Sequence, residues 1–320
     1  MFPNMKEQFF SHRGFLPLLL LATAVLVSAT SCRRPEPPLV VAEHHGRQGL
    51  MDLHGRKATP FRYDTIAPLS DGMYRVRRKG LWGYLDSLGR KAVKPQFPDA
   101  EDFHDGVAVA YDSHSGQALL IDRRGQPVGT ETYGWIGRLY AYDDQDNPHY
   151  LAGRYVVRRD GRYAMLGSDG QRLTPLVYDD FPCEFFEGLS PVRRDGKWGF
   201  VDTLGHEVIG TRYDSVGLFA CGLAPVSIGG RWGFVDKRDS LVVPLRYQAA
   251  SYFSCRRAPV MIEGHWGFID PRGVEVIKPQ FDDTVSASFP PFPGFRHDGT
   301  ARVFLRGRLL VIDTVGHAVE

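Results

Sequence analysis

One short string constrains this chain more than any other feature. Lys197-Trp198-Gly199-Phe200-Val201-Asp202 recurs as Arg231-Trp232-Gly233-Phe234-Val235-Asp236 and as His265-Trp266-Gly267-Phe268-Ile269-Asp270. The three tryptophans lie 34 residues apart, and an earlier copy stands at Leu81-Trp82-Gly83-Tyr84-Leu85-Asp86. Fifteen residues after each Trp comes an aromatic residue: Phe97, Tyr213, Tyr247 and Phe281. A proline precedes three of these by two or three positions, at Pro95, Pro244 and Pro279. A fixed period of this length marks a tandem array, in which each unit is too small to bury its own apolar face and stacking supplies the core.

The same spacing picks out weaker copies. Gln48, Ala118, Tyr163 and Leu309 each occupy the Trp position, so eight units are expected, anchored at 48, 82, 118, 163, 198, 232, 266 and 309. Each unit reads as three strands. Trp-Gly-Phe-Val-Asp alternates in the way of a strand, and Asp-x-x-Gly closes a tight turn, as in Asp86 to Gly89 and Asp270 to Gly273. The second strand carries the proline, which lacks an N–H and belongs at an edge. The third is of the type Gly222-Leu223-Ala224-Pro225-Val226. With 35 Gly and 22 Pro in 320 residues, a helical fold is disfavoured.

These residues resemble the WG-repeat (KWG) family of bacterial proteins over about residues 39–320. The expected fold is all-β, a tandem array of about eight three-stranded repeats. A propeller-like closed ring is preferred to an open β-solenoid, because Leu39-Val40-Val41-Ala42 could complete the last unit, which has room for two strands only. Trp82, Trp198, Trp232 and Trp266 are read as structural core, each costing roughly 3–5 kcal/mol if truncated from a buried site. An exposed row of rings for stacking on sugars is the alternative. Cys183, Cys221 and Cys255 occur as Phe-x-Cys in consecutive units, either as buried free thiols or with Cys221 and Cys255 bridged.

The N-terminus differs from the array. Lys6 and Arg13 precede an apolar run from Phe15 to Val27, which ends in Ser28-Ala29-Thr30-Ser31-Cys32. Small residues before a Cys resemble the lipobox of bacterial lipoproteins, although Ala29 stands where that pattern has Leu. The resemblance implies a signal peptide over residues 1–31, lipidation at Cys32, and a Pro-rich tether over 32–38 ahead of the repeat domain at 39–320. It implies attachment to the cell envelope, periplasmic or surface-exposed. Arg33 rather than Asp after the Cys favours the outer over the inner membrane.

Nothing in the sequence carries a catalytic signature: Gly-x-Ser-x-Gly, His-Glu-x-x-His, a phosphate loop and Cys-x-x-Cys are all missing. A net charge of +2 gives no footprint for nucleic acid. Glu43, His44, His45 and His54 are poorly arranged for a metal, since adjacent residues of a strand point to opposite faces. Asp143, Asp144, Asp146 and Asn147 lack the spaced ligands of a calcium loop. No cofactor is expected. The insertion from Gly134 to Tyr150 breaks the repeat, and its Trp135, Tyr140 and Tyr142 are the expected partner contacts. A second departure runs from Phe289 to Phe295. The expected function is a non-enzymatic binding module for a protein, peptide or glycan of the envelope. An envelope hydrolase with an unrecognised carboxylate site and a structural spacer are the alternatives.

Overall fold

The computed structural model describes residues 39–143, 147–182, 184–283 and 294–319, all within the unit Leu39–Glu320. Cys32, Asp144, Asp146, Cys183 and most of the Phe289–Phe295 stretch lie outside the described residues. Every regular element among those described is a strand, and the strands form eight small sheets in chain order, antiparallel except that Glu184–Phe185 pairs parallel with Trp135–Tyr142 in the fourth. The all-β tandem array expected from the sequence is what the chain forms.

The spacing of fifteen is a cross-strand pair. Trp82 faces Phe97, Trp198 faces Tyr213, Trp232 faces Tyr247 and Trp266 faces Phe281. The degenerate copies keep the pairing, with Gln48 opposite Tyr63, Ala118 opposite Tyr133 and Tyr163 opposite Tyr178. Between Trp and the residue two on, the register of the partner strand shifts, and the kinked strand passes directly over the repeat's glycine. A Cβ on Gly83 would stand 2.6 Å from the Val93 carbonyl oxygen and 2.6 Å from the Pro95 nitrogen. The Gly of Trp-Gly therefore lets an edge strand carrying proline lie close.

The turn aspartates are used identically along the chain. In each of Asp52, Asp86, Asp122, Asp202, Asp236, Asp270 and Asp313, one carboxylate oxygen accepts the backbone N–H groups two and four residues on. The residue at the fourth turn position has positive φ and rests on the preceding sheet, as Gly125 does on Val93 and Gly273 on Val243. Asp239 fills that position in the sixth sheet, with φ 67°.

The second to seventh sheets are each buried on both faces. Phe200 packs against the sixth sheet through Phe219, Ala224 and Val226, while its neighbour Val201 packs against the fourth through Met165 and Phe185. The two-residue period of a strand sends the Phe of Trp-Gly-Phe-Val forward along the array and the Val backward. Seven core clusters result, each joining two consecutive sheets.

Three expectations change in detail. First, sheets do not follow the Trp-to-Trp unit. The strand Leu223–Ile228, assigned by sequence to the end of one unit, pairs with Arg231–Asp236 of the next. A two-residue turn in the left-handed region links them, and that local hairpin closes more readily than a distant pairing. Second, some sheets have four strands. Ser215–Val216 folds back on Leu223–Ile228, and Ala249–Ala250 on Ala258–Ile262. Third, the N-terminal strand does not complete the last sheet. Val40–His44 pairs with Arg47–Met51 through the His45-Gly46 turn, for the same local reason. Among the described residues the first and last sheets share neither a strand pair nor a core cluster.

The four tryptophans are not equally interior. Trp266 is 2% exposed, whereas Trp82, Trp198 and Trp232 are half-buried. The deepest ring in each repeat is the residue two on: Tyr84, Phe200, Phe234 and Phe268 are all fully buried. Two of the half-buried tryptophans sit beside guanidinium groups, with Arg75 4.5 Å from the Trp82 ring centre and Arg193 5.9 Å from that of Trp198. Cys221 and Cys255 are free thiols, as one reading of the sequence had it, but both are exposed at turn tips rather than buried.

Candidate functional site

The insertion is not a loop. Trp135–Tyr142 and Pro148–Arg159 form a long antiparallel ribbon, in register from Trp135 opposite Arg158 to Tyr142 opposite Pro148, with one bulge near Arg138. The ribbon makes one wall of a cleft of about 340 Å³. Arg138, Tyr140 and Tyr150 come from the ribbon, Arg75 from the second sheet, and Glu101, Asp102 and His104 from the segment entering the third.

The tyrosines form a ledge. Their ring centres are 4.5 Å apart, the Tyr140 hydroxyl donates to that of Tyr150 at 2.9 Å, and the Arg138 guanidinium lies 4.5 Å from the Tyr150 ring centre. Tyr140 is 37% exposed and Tyr150 50%, so both rings present open surface. The opposite wall is fixed from beneath. The buried Tyr84 phenol donates to the Glu101 carbonyl at 2.6 Å, and that of Tyr155 to the His104 carbonyl at 3.4 Å. Burial pushes the Tyr155 phenol up to about 12, so it stays protonated and a donor. Arg75 pairs with Asp102 at 2.9 Å and also donates to the Ala100 carbonyl.

Glu101 stands at the mouth with its carboxyl crowded by protein. Loss of water raises its pKa, against the pull of Arg138 and Arg75. The cleft thus holds an ion pair, a second guanidinium, a carboxyl whose pKa is raised, an imidazole and two phenols. Among the described residues, no group of acidic, His or Cys side chains is arranged to hold a metal ion.

Of the three residues expected to contact a partner, only Tyr140 lines this cleft. Tyr142 is turned inward, stacked on Phe186 at 4.4 Å and hydrogen-bonded to Glu184 at 3.3 Å. Trp135 is 40% exposed and folds over Gly137 at the other end of the ribbon. Sequence reasoning missed Arg75, Glu101, Asp102, His104, Arg138 and Tyr150. A signal existed in the alignment of the repeats. Arg75 stands where Pro191, Pro225 and Pro259 stand in other sheets. Glu101, Asp102 and His104 replace Gly217, Leu218 and Ala220, counted from the buried Phe103 and Phe219.

Five stretches match the model of the WG containing repeat, at residues 49–82, 82–111, 198–232, 232–264 and 266–288. The chain carries WG containing repeats. The third sheet from Ala118 onward and the whole fourth sheet fall between the matched WG repeats, where the ribbon departs from the period. No curated protein sequence matches this chain. Among solved structures, a eukaryotic initiation factor is 10% identical, with 89% of this chain and 95% of that one covered and a TM-score of 0.38. PorZ, a surface component of the type-IX secretion system of Porphyromonas gingivalis, is 13% identical over 88% of this chain and 43% of its own, with a TM-score of 0.29. A streptogramin B lyase is 12% identical over 77% and 91%, with a TM-score of 0.30. At such scores the likenesses carry no argument about this chain.

Proposed function

We propose that this chain is a binding module without enzymatic activity, held on the cell envelope through a lipidated Cys32, and that the cleft beside the ribbon receives a glycan segment of the envelope. The observation that carries the reading is the Tyr140–Tyr150 ledge, half-open to solvent and flanked by Arg138 and Glu101. Each tyrosine of the ledge offers an apolar ring face to a sugar, and carboxyl and guanidinium groups match its hydroxyls as acceptor and donor. An array of stacked sheets gives the ledge a rigid base, which suits recognition without induced folding.

The test is binding of the full-length chain to an array of envelope glycans and peptides, repeated with Tyr150→Ala. Saturable glycan binding lost in the variant supports the reading. Binding confined to peptides replaces the glycan with a peptide, and no saturable binding overturns it. Membrane attachment is tested separately, by metabolic labelling with a fatty acid in cells expressing the chain and its Cys32→Ala variant.

One observation favours a second reading as a hydrolase. Glu101 holds its proton more tightly than an ordinary glutamate, while its neighbour Asp102 is charge-paired with Arg75. Two carboxyl groups in contrasting surroundings are what glycoside cleavage uses. Release of product from any envelope glycan, abolished by Glu101→Gln, would replace the binding module with that enzyme.

A further inference from the structure

A second cleft, of about 330 Å³, lies where the first sheet meets the second, and its charge is all of one sign. Arg62, Arg78, Lys79, Lys91 and Lys94 line it together with Tyr63, Leu81 and Pro95. Among the described residues no carboxylate lines it, and none of these five cations has an ion-pair partner. Burying or crowding like charges without a counter-ion is unfavourable, and such a concave surface raises the local concentration of anions.

The other repeats supply an internal comparison. At the corresponding place between the fourth and fifth sheets, Arg194 occupies the position of Arg78, at the end of the strand that pairs with the Trp-Gly strand. There it is neutralised by Glu207, at 3.0 Å, which also accepts from the buried Tyr178 hydroxyl at 3.4 Å. Lys91 stands in the position of Glu207, five residues after the turn aspartate in each case. Between the fifth and sixth sheets, Arg212 occupies the position of Arg62 and is paired with Asp239 at 2.7 Å. Gly89 stands in the position of Asp239. Neither acid is present here: a lysine stands in place of Glu207, and in place of Asp239 stands the glycine usual in the turns of the array. The cations remain.

We infer that the cleft lined by Arg62, Arg78, Lys79, Lys91 and Lys94 is an anion site that takes a phosphate-type group of at least two negative charges. The ligand's phosphate occupies the place that Glu207 and Asp239 fill in the sister junctions. Guanidinium groups supply paired N–H donors and the lysines supply point charges. The cleft admits the group as a free phosphate ester or as the head group of a lipid, since both present the same oxygens. The site is separate from the cleft beside the ribbon and does not rest on the glycan reading.

The probes are inorganic pyrophosphate, titrated calorimetrically into the full-length chain, and vesicles with and without phosphatidic acid, whose head group is a phosphomonoester that can carry two negative charges, scored by co-sedimentation. The deciding variant is Lys91→Glu, which restores the arrangement of the sister junction and so is expected to fold. Lys278→Glu is the control. Lys278 holds the same position in the seventh sheet as Lys94 in the second, so it changes net charge equally at a distance from the cleft. Arg78→Gln is a second variant that introduces no acid. The expected result is saturable binding of at least one probe, weakened about tenfold or more by Lys91→Glu and by Arg78→Gln. Lys278→Glu should leave it unchanged, and added salt should weaken it. Pyrophosphate binding assigns a soluble ligand, and binding to the anionic vesicles alone assigns a lipid head group. Binding of neither probe, or equal losses in Lys91→Glu and Lys278→Glu, overturns the inference.

Discussion

Trp232 and Tyr247 face each other across the sixth sheet, yet Tyr247 is fully buried and Trp232 only half-buried, because the Trp ring lies at the margin of the junction with the seventh sheet. The interior of that junction belongs to Phe234, two residues on, whose ring centre is 5.2 Å from that of Phe253. At Trp82, Trp198 and Trp232 the conspicuous Trp of the repeat thus marks the rim of a core and the aromatic residue two on its centre, whereas Trp266 is itself interior. Phe234→Ala is expected to lower stability by about 3–5 kcal/mol. Trp232→Ala should cost less, since part of its surface stays wet in the folded chain. Urea unfolding of both variants checks the order, and a larger loss for the Trp variant would refute it.

The glycine beside each Trp fails for a different reason. A Cβ on Gly233 would meet the Val243 carbonyl and the Pro244 backbone, neither of which can rotate away. Gly233→Ala is expected to cost at least about 1–3 kcal/mol, the range for overpacking. Gly210 sits on the facing edge strand of the fifth sheet, where a Cβ would meet only the Glu207 carboxyl at 3.7 Å. Gly210→Ala should therefore be near neutral or slightly stabilising. Thermal melts of the two variants side by side test whether close approach, rather than the loss of a glycine, carries the effect.

This contrast also shows what was legible in the sequence. The spacing of fifteen, the turn aspartates and the edge prolines were readable, because a period-two strand and a tight turn impose local rules on residue type. The eight sheets followed. The joining of strands into sheets was not readable at the unit boundary, because a repeat has no natural first strand and either phase fits the period. The cleft was harder still. Tyr140 was found because it lies in an insertion, but Arg75 and Glu101 come from ordinary positions of two other sheets. Only their departure from Pro191 and Gly217 at matching places sets them apart, and their convergence depends on how far the ribbon extends.

Acid should loosen the array through its turns. Backbone N–H groups of Arg56, Ser240 and His317 hold the carboxyls of Asp52, Asp236 and Asp313 below the ordinary value of 3.8. A carboxyl with a folded pKa below its unfolded one stabilises fully above the unfolded value, and that contribution disappears as pH falls through the folded one. The melting temperature is expected to be insensitive to these groups at neutral pH and to drop as pH falls below the ordinary carboxyl value of 3.8. Asp236→Asn keeps one acceptor oxygen and cannot ionise, so it should shrink the acid-dependent drop. An unchanged drop in a variant that melts normally at neutral pH would remove the turns as its source.

The exposed cysteines lie on a line of contacts between consecutive hairpin turns. Asp71 accepts the Gly106 N–H at 2.7 Å, Asp105 that of Gly153 at 2.7 Å, and Glu187 that of Gly222 at 3.0 Å. In the next two turns the corresponding residues are Cys221 and Cys255, at φ 55° and 48°. A thiol is a weaker acceptor than a carboxylate, so the line is weakest there. Cys255 instead donates to the Arg296 carbonyl at 2.9 Å. Asp tolerates the left-handed region, as Asp71 and Asp105 already do. Cys221 already accepts the Arg256 N–H of the following turn, so Cys221→Asp is expected to strengthen that contact and to raise stability by about 0.5–1.5 kcal/mol. Cys221→Ala, which supplies no acceptor and strains the same backbone, should lower it. A denaturant series on the two variants separates them: if both shift the midpoint in the same direction, the line of turn contacts does not join one sheet to the next.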